Sequence, residues 1–174
     1  QSWARLFEAQ LQARDDIGKA ADAMLLLYRT SVLAEIKDQA GYLAGLYAVK
    51  ARRCLTARKL LPSYTTPQTE PARRGTAALS LSRCEQGIEM LRLMVTALEI
   101  PETQQQAQSA TAKALKSLTT QTLGEALDLF ATTSLIPMVA KEVLRRPKTK
   151  VSAALRQRAQ TLSQPARLKP RPTI

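Results

Sequence analysis

Apolar residues recur every three or four positions along almost the whole chain, the spacing that lines one face of a helix. In residues 3–14, Trp3, Leu6, Phe7 and Leu11 fall on one such face. The polar stretch at Asp15 and Asp16 interrupts it, and either aspartate suits the N-cap of a second helix at about 17–29. Further helices are expected at about 31–47 and 48–61, with Pro62 as a stop. Pro62 to Gly75 holds three prolines and reads as a long loop. Helical spacing resumes at 76–83, 84–99, 102–120, 122–134, 137–146 and 151–163, whereas no segment alternates in the manner of a strand. Beyond residue 163, Pro165, Pro170 and Pro172 forbid helix, so 164–174 is expected to be an extended basic tail after one helical domain of residues 1–163.

Within this pattern one stretch recurs. Glu125 to Pro137 (EALDLFATTSLIP) and Glu89 to Pro101 (EMLRLMVTALEIP) align without a gap and share six of thirteen residues, including the closing Ile-Pro. The same register places Lys50 to Pro62 beneath both, and Asp22 to Tyr28 matches its first half. The three prolines are 39 and 36 residues apart. Periods in the thirties are typical of stacked helical hairpins, which would make Ala23, Ala51, Met90 and Ala126 contact positions. An antiparallel bundle of amphipathic helices ending in proline gives a similar pattern.

Glu125, Ala126, Leu127, Leu129 and Phe130, followed by Ile136-Pro137, resemble the second helix and turn of a pentatricopeptide repeat. Glu89, Leu91, Leu93, Met94 and Ile100-Pro101 are a second, fair match, while the turn glycine of that family is absent throughout. The resemblance covers about half the chain. It implies an all-α fold of stacked antiparallel hairpins, a short α-solenoid. It further implies either RNA binding at about one base per repeat or a scaffolding role in an organellar assembly. In size and helix count the chain is also similar to small pentatricopeptide-like subunits on the F1 sector of mitochondrial ATP synthases, which implies a location on the matrix side of mitochondria.

Composition narrows the chemistry. The 174 residues are 45% apolar and only 4% aromatic, with six glycines, a balance that favours helix over sheet. No apolar run reaches the roughly 20 residues of a membrane span. Histidine is absent, which rules out nucleophilic systems that use His as the base, and two cysteines alone cannot complete a four-ligand zinc site. Cys54 and Cys84 read as buried free thiols rather than as a disulfide. Asp15/Asp16 and Glu125/Asp128 are the paired acids, read as a cap and as solvated helix positions. The sequence therefore presents no catalytic, cofactor-binding or metal-ligating set.

The net charge is +12 and unevenly spread. From Lys141 onward ten Lys and Arg oppose the single Glu142, while the first 49 residues are close to neutral. Two basic groups are thus the candidate partner-binding residues. One is Lys50, Arg52, Arg53, Arg58 and Lys59; the other is Arg145 and Arg146 together with Arg167, Lys169 and Arg171 of the tail. The expected partners are other protein subunits of a large complex, with RNA as the alternative.

Overall fold

A computed structural model describes residues 2–164; the expected tail, with Arg167, Lys169 and Arg171, lies outside them. The described residues form ten α-helices and no strand. These are α1 (Ser2–Gln12), α2 (Ile17–Thr30), α3 (Ala34–Lys50), α4 (Cys54–Leu60) and α5 (Pro71–Ser82). They continue with α6 (Gly87–Leu98), α7 (Pro101–Ser117), α8 (Thr120–Leu129), α9 (Ile136–Arg145) and α10 (Ala153–Ser163). None is long and apolar enough to cross a membrane.

Local chemistry sets most of the boundaries. Asp16 caps α2 by accepting a hydrogen bond from the Lys19 amide, and Thr119 and Ser152 do the same for α8 and α10. The three recurring prolines have one shared meaning, which for Pro62 differs from the helix stop expected of it. Each sits in the first turn of a following element: Pro62 in the 3-10 turn Leu61–Tyr64, Pro101 in α7 and Pro137 in α9. There the missing amide hydrogen costs nothing, because the first turn has no acceptor for it. The preceding Leu61, Ile100 and Ile136 are all buried, so each apolar-Pro pair anchors a helix start. The same effect shortens the long loop expected at 62–75. Helix α5 begins at Pro71, with the Glu70 carboxylate accepting from the Ala72 and Arg73 amides.

The chain divides into two compact units, with the boundary between Ala107 and Gln108 inside α7. Helix α7 is largely exposed. Its polar run Gln104–Gln106 is exposed, and only Thr103, Ala107, Thr111 and Leu115 are buried, a stripe one residue wide.

In the first unit α3 is the central helix, buried around most of its circumference. One side packs Ile36, Ala40 and Ala44 against Leu6, Met24 and Leu27 of α1 and α2. The other packs Tyr42, Ala48 and Val49 against Ala57, Leu61, Ala77 and Leu81. Gly45 makes this approach possible: a Cβ there would lie 2.5 Å from Leu61 Cδ2. In the second unit α9 packs on both α8 and α10, burying Leu123, Leu127, Val139 and Val143.

The aligned stretches differ in local structure. Glu89–Pro101 is mostly one helix, Lys50–Pro62 is broken between α3 and α4, and Glu125–Pro137 crosses the turn between α8 and α9. Leu91 and Leu127 are fully buried and Leu93 partly so, whereas Leu129 is 59% exposed. Of the apolar face read in α1, only Leu6 is buried.

Candidate partner-binding surfaces

The cluster from Lys50 to Lys59 spans two helices and the turn that joins them. Lys50 ends α3, Arg52 occupies the turn, Arg53 caps α4, and Arg58 and Lys59 lie in its last turn. The turn closes as a Schellman motif, with the Arg53 amide donating to Ala48 and the Arg52 amide to Val49. This geometry puts Arg52 at φ +60°, a left-handed backbone normally given to glycine, at a cost of about 1–2 kcal/mol. Among the described residues Arg52 is the only non-glycine residue with positive φ.

The five cations are not equivalent. Arg53 pairs with Asp22 of α2, and Arg58 pairs with Glu85 at 2.7 Å while donating to the Cys84 carbonyl. Those two hold the turn and α4 against neighbouring segments. Lys50, Arg52 and Lys59 are exposed to solvent and constitute the outward-facing charge of the cluster.

Beneath this cluster lies a covalent link that corrects the expectation of free thiols. Cys54, at the start of α4, and Cys84, in the turn between α5 and α6, form a disulfide with their Cα atoms 5.4 Å apart. Packing of α3, α4 and α5 around one core brings these two backbones within bridging distance, although 30 residues separate them. Cys84 does not open a helix, because α6 starts three residues later at Gly87.

The second candidate group also divides. Arg145 is largely exposed and forms two hydrogen bonds with the Glu142 carboxylate, at 2.9 and 3.0 Å. Arg146 turns inward, with its side chain 13% exposed. It donates to Glu142 and to the carbonyls of Leu115 and Leu118 at the C-terminal end of α7. Arg156 likewise donates to the carbonyls of Leu144 and Arg146 at the C-terminal end of α9. Arg146 therefore closes the end of a helix, and Arg145 is the surface cation of the pair. The Arg145 hydrogen bond, joined by Arg146, holds the buried Glu142 carboxyl below its usual pKa despite the opposing effect of burial.

Two further features emerge from the tertiary structure. The Arg73 guanidinium lies over the rings of Tyr42 and Tyr64, 4.4 and 5.3 Å from their centroids, and donates to Asp38 at 2.9 Å. Tyr64 donates to the Asp38 carbonyl at 2.8 Å, and burial pushes its hydroxyl up to about 12. This stack joins α3, α5 and the 3-10 turn, and it occupies two of the four tyrosines. The other feature is an apolar stripe. Trp3, Phe7 and Leu11 stand exposed at every fourth position of α1, and Trp3 borders Leu33 across a shallow depression. The periodicity placed them on one face without revealing which way that face points. The paired acids resolve into structural roles: Asp16 is a cap, and Asp128 pairs with Arg158 of α10.

Comparison with known protein families, curated proteins and solved structures finds no match to this chain.

Proposed function

We propose that this protein is a non-catalytic accessory subunit of a large organellar protein assembly. The observation that carries the reading is Arg52. An exposed cation held in a left-handed backbone costs stability that glycine would not, and that cost has a rationale where the charge meets a partner. Lys50 and Lys59 extend the same charge, and the exposed Trp3, Phe7 and Leu11 add an apolar contact area of the kind that marks interfaces. In this reading the helices act as stacked hairpins in the manner of a short pentatricopeptide-like solenoid. The F1 sector of a mitochondrial ATP synthase is the specific assembly proposed, on the strength of the sequence resemblance. The Cys54–Cys84 bond bears on the compartment, since structural disulfides persist where thiols are oxidised. A location on the matrix side therefore requires that the pair be kept from its reductants, and the thiol state of native protein tests this.

The alternative is a short RNA-binding protein, supported by the +12 net charge. Arrangement favours the protein partner. Tyr42 and Tyr64 pack on Arg73 rather than standing free to stack on bases. Co-purification from native extract, with proteins and nucleic acid both identified, separates the two. The accessory-subunit reading expects a defined set of protein subunits. It also expects RNA binding that is weak, salt-dependent and indifferent to sequence. Recovery of a specific RNA, or a preference of about tenfold for one oligonucleotide, would overturn it.

A further inference from the structure

Within the second unit, α7 and α9 border an open groove of about 340 Å³. Its apolar lining comes from Ala112, Leu115 and Met138, and its edges carry Lys116, Lys141 and Arg145. We propose that this groove receives an acidic amphipathic helix from a partner protein. The inference rests on the accessory-subunit reading and deepens it by naming the chemistry of the partner.

Charge is the first argument. Glu142 also lines the groove, but its carboxylate is shared between Arg145 and Arg146, so this cluster keeps a net positive charge. Lys116 and Lys141, both exposed, add two more cations with no carboxylate paired to them among the described residues. Carboxylates on an incoming segment meet complementary potential on both edges. Shape is the second argument. Met138 to Arg145 spans two turns of α9, about 10 Å. That length matches apolar side chains presented at i, i+3, i+4 and i+7 by a docked helix, the usual reading of helix-in-groove recognition. Aromatic content is the third. From residue 108 onward Phe130 is the sole aromatic residue, and it is 5% exposed, so the groove offers no ring on which a base could stack. An apolar floor has no use in binding phosphates alone.

The test uses the full chain and a fluorescent helix-forming peptide with Leu at i, i+3, i+4 and i+7 flanked by Glu, read by anisotropy at low and at physiological salt. The same peptide with Lys in place of Glu is expected to bind at least about tenfold more weakly. The double substitution Lys116→Glu, Lys141→Glu and the single Ala112→Glu should each weaken the acidic peptide by a similar factor. All three positions are exposed, so the thermal unfolding of these variants should match that of the parent. Equal binding of the two peptides, absence of binding, or full affinity in the variants overturns the proposal. So does a single-stranded RNA whose binding the same substitutions abolish while the peptide fails to compete. A partner recovered from native extract that contacts other surfaces overturns the groove alone, whereas failure to recover any protein partner overturns the accessory-subunit reading.

Discussion

Replacing Arg52 by glycine should stabilise the protein while weakening its association with partners. The structural basis is the positive φ of 60° in the turn between α3 and α4. Releasing an L residue from that region gains about 1–2 kcal/mol. Glycine returns part of the gain, roughly 0.5–1 kcal/mol, through the greater freedom of the unfolded chain. The guanidinium of Arg52 is exposed, so little packing is lost. The net expectation is a gain of about 0.5–1 kcal/mol, or about 1–4 °C in Tm. Arg52→Ala separates strain from charge, because alanine keeps the unfavourable φ and should stay within about 0.5 kcal/mol of the parent. Urea unfolding followed by circular dichroism reads both variants, and co-purification reads partner retention. If glycine proves no more stable than alanine, the strain argument is wrong. If both variants retain partners at full strength, Arg52 has no part in binding.

Three further outcomes test the packing. Closing a loop across 30 residues gives the Cys54–Cys84 disulfide a stabilisation of about 3–4 kcal/mol, so reductant or the Cys54→Ser, Cys84→Ser double variant should lower Tm markedly; two titratable thiols in unreduced, denatured protein would contradict this. A Cβ at Gly75 would lie 2.3 Å from Thr103 Oγ1, whose hydroxyl donates to the Ala97 carbonyl at 2.8 Å. Gly75→Ala should therefore cost about 2–3 kcal/mol, with Thr103→Ala in the same chain recovering much of it; an undisturbed Gly75→Ala protein would refute the contact. The lowered pKa of Glu142 means that its contribution is present above about pH 4.5 and is lost as pH falls through the lower folded value. Glu142→Gln should be less stable at neutral pH, and its stability should change less below pH 4.5 than that of the parent; parallel acid profiles would rule this out.

The sequence alone determined that the chain is helical and where most of its helices lie. Helical periodicity and capping are interactions among residues a few positions apart, so Asp16, Thr119 and Ser152 act in the structure as their local context dictates. Prolines were legible as punctuation, but their sense was not. Whether Pro101 closes α6 or opens α7 depends on Ile100 being drawn into the core, and that is a tertiary event. The candidate partner-binding cations were visible only as a list. Which of them face outward depended on Asp22, Glu85 and the end of α7, each reached across 26 or more residues. Arg146 and Arg145 are neighbours of identical chemistry, yet one caps a helix and the other meets solvent because the orientation of α9 fixes their directions. The disulfide follows the same logic. Two cysteines 30 residues apart carry no local signal of pairing, and only the packing of α3, α4 and α5 around a shared core brought them together.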